Sequence, residues 1–215
     1  LLMSHLACAD TPEHPMNERQ RQAFEQLRRR LPHLPASLAA SSGIFLGPAF
    51  HYDMVRPGAA LYGVNPTPGA PNPMHPVLRL EGRVVQERWI GAGDSVGYGA
   101  RFTASGPTRV ATVAVGYADG YLRAGGEHGF ATWADEPSLR LPVIGRISMD
   151  SLALDTTPLG TRTLPPGTPV ELIGPHRSLD AAAADAGTIG YELLTDLGRR
   201  YHRHYLERHD HGDAS

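Results

Sequence analysis

Tyr98 and Tyr117 each stand between small residues, in Val96-Gly97-Tyr98-Gly99-Ala100-Arg101-Phe102 and in Val115-Gly116-Tyr117-Ala118-Asp119-Gly120-Tyr121. Such a setting lets a phenol stand clear of neighbouring side chains and lets the backbone approach a ligand closely. A phenol with a pKa of about 10 is a weak base at neutral pH, so it needs a cationic or hydrogen-bonding environment to move protons. A third cluster, Ile144-Gly145-Arg146-Ile147-Ser148-Met149-Asp150, also places a glycine beside polar residues. His5 in Met3-Ser4-His5-Leu6-Ala7 and Arg56 in Val55-Arg56-Pro57-Gly58-Ala59-Ala60-Leu61-Tyr62-Gly63 are polar residues set in apolar runs. Taken singly, each has a plainer reading: a turn tyrosine with a satisfied hydroxyl, or a satisfied core histidine.

What the chain lacks is equally informative. All twenty of its basic residues are arginine. Arginine cannot be deprotonated at biological pH and so cannot act as a neutral amine nucleophile. Chemistry that needs a covalent imine to a side chain therefore cannot be completed by these residues alone.

The elements that must position these groups fall into two grammars. Residues 1–9 (LLMSHLACA), 37–41 (SLAAS) and 54–62 (MVRPGAALY) read as buried strands. Asn17 is placed to cap a helix on which Ala23, Phe24, Leu27 and Leu31 recur at helical spacing, before Pro32 and Pro35 end it. Residues 43–50 read as a brief helical turn. Strand, helix, strand, short helix, strand is the order of βα units in a parallel sheet or barrel. Residues 65–76 (NPTPGAPNPMHP) read as a stiff, proline-packed linker. Short strands follow at 77–90, 109–115, 139–144, 147–154 and 170–173, with glycine-rich joints, as in a β-rich barrel-like domain. Ser178 can cap a helix over 180–186, and Thr188 another over 190–197 ended by Gly198; 201–206 reads as a last strand and 207–215 as a frayed tail. The domain reading is thus 1–70, 76–206 and a tail at 207–215.

Composition sets bounds on function. A net charge of −2, with 41% apolar and 20% charged residues, describes an ordinary globular protein with no general electrostatic case for nucleic acid. The basic run Arg28-Arg29-Arg30 closes the predicted helix, where the dipole favours cations. The single cysteine, Cys8, excludes a disulfide within the chain and fits a reducing cytoplasm. No apolar run approaches the roughly 20 residues of a membrane span. His202, His204, His209 and His211 give a weak zinc-like spacing without cysteine or carboxylate support, so no metal site is assigned.

Taken together and in order, these motifs resemble the C-terminal part of the alanine racemase family. The resemblance runs from about Met3 to Tyr205 and includes Gly190-Tyr191-Glu192. It implies a fold of α/β plus β type: the C-terminal units of a parallel (β/α)8 barrel that binds pyridoxal 5'-phosphate, followed by a β-rich, barrel-like domain. It also implies interconversion of L- and D-alanine, supplying D-alanine for peptidoglycan, by a cytoplasmic homodimer whose active sites are shared between subunits. Tyr98 is the implied acid–base group, contributed by the neighbouring subunit, with His5 bonded to it and Arg56 bonded to His5. Arg56 is the implied partner of the cofactor's pyridine nitrogen. Ser41, the N–H groups of Gly58 and Ala59, and Tyr191 are the implied phosphate ligands. Tyr117 and the N–H of Met149 are implied to shape the substrate pocket beside Tyr98. Where the family usually carries asparagine beside the serine, this chain has Ala40.

The family's covalent lysine lies on the first barrel strand, outside these residues, and only about three βα units are present where a closed barrel needs eight. The expectation is a portion of a longer racemase that is inactive alone. The alternatives are a serine or broad-specificity racemase of the same fold, and a non-catalytic remnant that dimerises or binds a partner. Decarboxylases that share the barrel would not carry the tyrosine and Gly-Arg-Ile-Ser-Met-Asp motifs.

Overall fold

The computed structural model describes residues 1–126 and 128–206. Its first part is a βαβ unit. Strand β1 (Leu2–Met3) pairs in parallel with β2 (Ala36–Ser37), and helix α1 (Pro15–Arg30) makes the crossover. Proline at the first helical position sets the start of α1, since its fixed φ suits that position and its missing N–H costs nothing there. The cap is therefore His14, whose Nδ1 accepts from Met16 N–H, and not Asn17. Asn17 lies buried in the first turn and donates to the carbonyls of Thr11 and Pro12. Phe24 is the buried anchor of the helix, edge-on to Tyr52, whereas Leu27 and Leu31 stay exposed.

The three predicted strands are much shorter than their apolar runs. Ser4 N–H still donates to the Ser37 carbonyl, and from His5 onward the backbone is satisfied by α1 in place of a neighbouring strand. Gln20 accepts from Ala7 N–H and donates to the His5 carbonyl. The second strand stops at Ser37, and helix α2 (Ser41–Ile44) opens where the strand was expected to end. The third reduces to one parallel bridge, Ala40 to Arg56, because Pro57 and Gly58 break the extended run before a 3-10 turn at Ala59–Tyr62. Residues 65–76 carry no helix or strand, as expected.

The second part is a closed barrel. Its strands are β3 (Leu80–Ile90), β6 (Thr108–Val113), β7 (Phe130–Trp133), β8 (Glu136–Ile144), β9 (Leu152–Asp155) and β10 (Pro169–Ile173), in the ring order β10-β3-β6-β9-β8-β7. Strands β4 (Ser95–Val96) and β5 (Phe102–Thr103) form a separate hairpin between β3 and β6. Leu80, Gly82 and Val84 face inward on β3, and Val113, Leu141, Leu154, Leu172 and Ile173 fill the interior. Gly82 is needed for closure, since a Cβ there would lie 2.4 Å from Val113 Cγ1.

Helix α3 (Leu179–Asp185) is capped as predicted, with Ser178 Oγ accepting from Ala181 N–H. Helix α4 (Gly190–Asp196) starts after Ile189; Thr188 does not cap it and donates its hydroxyl to the Glu192 carboxylate. Arg177 is fully buried and ties these parts together, donating to Tyr121 Oη (2.6 Å), the Leu172 carbonyl (3.0 Å) and Asp185 (2.7 Å). Residues 201–206 form no strand. A closed ring has no free edge for one to join. The predicted tail at 207–215 lies outside the described residues.

Candidate functional site

Arg56 is half-buried and firmly held. Its Nη1 donates to Ser37 Oγ (2.6 Å), and its Nη2 donates to the Ser4 carbonyl (2.8 Å) and lies 3.4 Å from His5 Nδ1. These contacts use the two Nη nitrogens, so Nε–H remains as a donor. The βαβ pairing that sets β1 beside β2 also brings Ser4 and His5 to Ser37, and the Ala40–Arg56 bridge adds the guanidinium. Residues distant in sequence thus meet on one short sheet.

Beside them opens a cleft of about 540 Å³, lined among others by His5, Ser41, Ser42, Gly43, Gly190 and Tyr191. Ser41 is buried, and its Oγ accepts from the N–H groups of Gly58 (3.0 Å) and Ala60 (3.3 Å). A hydroxyl has two acceptor lone pairs and one donor. With both lone pairs used, the remaining O–H is free for an anionic oxygen, which is the role a phosphate ligand requires. Ala59, expected to offer its N–H, is buried next to these donors, and its carbonyl accepts from Val64 N–H. Tyr191, in the first turn of α4, reaches the same cleft from the second part of the chain.

The three glycine-flanked motifs converge elsewhere, on loops beside the β-barrel. Tyr98 sits on a 3-10 turn (Tyr98–Ala100) between β4 and β5. Gly97 and Gly145 both have positive φ, and they let the first motif back onto the third: a Cβ on Gly145 would lie 2.6 Å from the Val96 carbonyl oxygen. The second motif hangs on the third by two backbone bonds, Tyr117 N–H to Ser148 O (3.0 Å) and Ala118 N–H to Met149 O (2.9 Å). A Cβ on Gly116 would lie 2.3 Å from Met149 O, so glycine is required there. Tyr98, Tyr117 and Met149 are 66%, 41% and 53% exposed. Among the described residues no hydrogen bond joins Tyr98 to His5, and the two groups of residues stand apart in the chain.

Sequence reasoning missed Arg200 and Tyr201. Arg200 pairs with both Asp119 (3.2 Å) and Asp150 (2.7 Å), and the signal was that two of the motifs carry an aspartate next to their functional residues. The Tyr201 hydroxyl is buried without a partner among the described residues. Burial, reinforced by Asp119 and Tyr121, pushes its pKa well above the usual 10.0 despite Arg200. The phenol stays neutral in the folded state while the unfolded chain ionises, so its contribution to stability is present below about pH 10 and is lost as pH rises above it. Tyr201→Phe is expected to leave neutral-pH stability unchanged or raised by up to about 1 kcal/mol. It is also expected to lessen the loss above pH 10, as measured by urea unfolding across pH 7–11.

His202 and His204 stack edge-on at 4.4 Å. Among the described residues no group of three His, Cys, Asp or Glu could hold a metal, and no helix is long and apolar enough to cross a membrane. His209 and His211 lie outside the described residues.

A short parallel βα sheet beside a hydroxyl-lined cleft, joined to a closed antiparallel barrel presenting tyrosine loops, defines a two-part fold. Family models give that fold its name. The model "Alanine racemase, N-terminal domain" matches residues 1–66 and "Alanine racemase, C-terminal domain" matches 77–205, so the chain belongs to the alanine racemase family. It is 57% identical over 205 residues to a catabolic alanine racemase of Mesorhizobium japonicum, covering 95% of this chain and 52% of that protein. It is 49% identical to the alanine racemase of Rhodospirillum rubrum, over 95% of this chain and 54% of that one. The chain therefore spans about half the length of the curated relatives it matches. Among solved structures it is similar to Bartonella henselae alanine racemase with covalently bound pyridoxal phosphate (TM-score 0.87, 43% identity, 95% of this chain and 56% of that one). It is also similar to the biosynthetic enzyme of Pseudomonas aeruginosa (TM-score 0.86, 37% identity, 96% and 57%).

Proposed function

We propose that these residues act within a pyridoxal-phosphate-dependent alanine racemase that interconverts L- and D-alanine, in a protein that joins them to the N-terminal barrel portion its relatives carry. The observation that carries this reading is Arg56. It is locked by Ser37 and Ser4, faces His5, and lies beside a cleft where Ser41 keeps a free O–H. Ser41, the N–H of Ala59 and Tyr191 would hold the cofactor phosphate, and Arg56 would serve the pyridine nitrogen; the Gly58 N–H, expected to join them, is instead committed to Ser41 Oγ. When bound, the cofactor draws electron density away from the substrate α-carbon so that its proton becomes removable.

The remaining work belongs to the protein. Most enzymes of this cofactor set a carboxylate at the ring nitrogen and keep it protonated; a permanently charged guanidinium donates a hydrogen bond and disfavours that proton. Arg56 in that place would favour return of the proton to the substrate over side reactions such as transamination. Tyr98 of a second copy holds and returns the proton at one face, supported by His5 and through it by Arg56. The N–H of Met149 fixes the substrate carboxylate, and Tyr117 shapes the pocket. The exposure of Tyr98, Tyr117 and Met149 in a single chain supports a homodimer that shares its sites. The base for the opposite face, and the covalent hold on the cofactor, come from a lysine outside these residues.

We further propose that the D-alanine supplies peptidoglycan in the cytoplasm. A catabolic role is the second reading, favoured by the relatives at 57% and 50% identity that carry that description. The protein with its complete barrel, loaded with pyridoxal phosphate, is expected to bring L-alanine to zero optical rotation. Cofactor binding with unchanged rotation would refute the assignment.

A further inference from the structure

We propose that Arg200 is a positioning residue for the substrate-facing loops: it clamps the Tyr117 loop to the Met149 loop and so sets how Tyr117 and the Met149 N–H are presented to the neighbouring subunit. This rests on the racemase reading above and adds a residue that none of the motifs contains.

The two loops leave the barrel at different places. The Tyr117 loop follows β6, and the Met149 loop joins β8 to β9. Two backbone bonds join them, and both lie at Tyr117 and Ala118. Beyond those bonds the Tyr117 loop turns at Gly120, which has a φ of 92° and little conformational restraint of its own. What fixes this end is Asp119. Its Oδ2 accepts from Gly116 N–H at 2.8 Å and closes the turn on itself. Its Oδ1 lies 3.2 Å from Arg200 Nε, while Arg200 Nη2 donates to Asp150 Oδ1 at 2.7 Å. One planar guanidinium thus spans the last residue of the Tyr117 turn and the residue directly after Met149.

The burial of the two acids shows which arm matters more. The Asp119 side chain is 11% exposed and that of Asp150 is 62%. An open pair such as Arg200–Asp150 contributes little by itself. Asp119 is different: without Arg200, itself half exposed, its nearly buried carboxylate keeps one N–H donor and has no cation, which weakens its hold on the end of the turn. The neighbouring Tyr201 phenol, being neutral, cannot replace the cation. Lysine cannot substitute either, because a single ammonium lacks the fork that reaches two separate carboxylates.

The segment that ends α4 and leads to Arg200 also packs on the Tyr117 loop. Gly198 N–H donates to the Asp119 carbonyl at 3.0 Å, and a Cβ on Gly120 would lie 1.8 Å from the Asp196 carbonyl oxygen. The same short helix carries Tyr191 into the Ser41 cleft. The chain's own cofactor cleft and the loops it offers to its neighbour therefore share one support.

The test uses the holoenzyme with its complete barrel and compares Arg200→Ala and Arg200→Lys with the unaltered protein. Loss of loop positioning is expected to raise KM for alanine by about 10-fold while kcat changes less than about threefold, the pattern of lost uniform binding. Asp150→Asn is expected to give a smaller rise in KM. Hydrogen exchange supplies a readout independent of activity: the amides of Tyr117 and Ala118 should exchange about 10-fold faster in Arg200→Ala, with Val113 and Leu154 in the barrel unchanged. Unchanged KM, unchanged loop exchange, or faster exchange spread equally over the barrel strands would each overturn the proposal. If the unaltered protein does not racemise alanine, the functional reading fails, and the exchange measurement still decides whether Arg200 holds the loops.

Discussion

Tyr98→Phe in the complete enzyme is expected to lower kcat for racemisation by about 10²- to 10⁴-fold in both directions, the range for removing a positioned acid–base group. Stability and cofactor loading should be unchanged. The two halves of that expectation come from one observation. The Tyr98 side chain is 66% exposed, and its hydroxyl meets no partner among the described residues of its own chain. A structural tyrosine would lose stability when its hydroxyl is removed; this one has no bond to lose among the described residues of its own chain. The ring remains in the variant, and the turn that carries it is set by the backbone of Gly97 and Gly99, both at positive φ. The loss should therefore fall on catalysis alone, measured by initial rates from each enantiomer alongside thermal unfolding.

The same variant tests whether sites are shared. If each site joins Arg56 of one chain to Tyr98 of the other, Tyr98→Phe and Arg56→Ala fall in the same site of a dimer when they lie on different chains and leave the other site intact. Each variant alone should be inactive. Unfolded together in equal amounts and refolded, they should recover about a quarter of the unaltered activity, because half the dimers are mixed and each mixed dimer holds one intact site. No recovery, with mixed dimers shown to form, would place Tyr98 and Arg56 in a site built by a single chain.

How far such geometry can be read from sequence depends on which interactions decide each element. Strands β3, β6, β8, β9 and β10 were legible because the barrel wall has a wet and a dry face, as Leu80, Gly82 and Val84 show on β3. The parallel part was read too long. Its apolar runs predict buried strands, whereas Gln20 and Pro57 end the pairing after two residues and one bridge. Strand β7, only Phe130–Trp133, is too short to show a period, and its place is set by partners on both sides. Residues 201–206 had strand-like composition but no edge to join. The site divides in the same way. Residue types around Tyr98, Tyr117 and Met149 announced their chemistry, and their convergence through Gly116 and Gly145 did not, because close approach of two loops leaves no local pattern. Arg200 is the extreme case, since its meaning lies wholly in two carboxylates 81 and 50 residues earlier, the separations of Arg200 from Asp119 and Asp150.

Incubated with pyridoxal phosphate and reduced with borohydride, the 215-residue chain is expected to carry no pyridoxyl group on any side chain and to show no racemase activity. The argument is chemical and does not depend on how well the cleft is formed. Reductive trapping needs an amine that can lose a proton and attack the aldehyde, and all twenty basic side chains here are guanidinium. The α-amine of Leu1 is the one exception, and peptide mapping after reduction separates it from a side-chain adduct. A reduced adduct at any internal residue would refute the prediction. Binding is a separate matter, because Ser41, Tyr191 and Arg56 depend on no lysine. Phosphate contacts alone should give weak, reversible uptake that dialysis removes. Supplying the lysine-bearing barrel portion in the same polypeptide should convert that uptake into a borohydride-stable linkage and bring activity with it. If activity returned without the linkage, the division of labour proposed here would be wrong: Tyr98, His5 and Arg56 would then be working with a second base that is not the residue holding the cofactor.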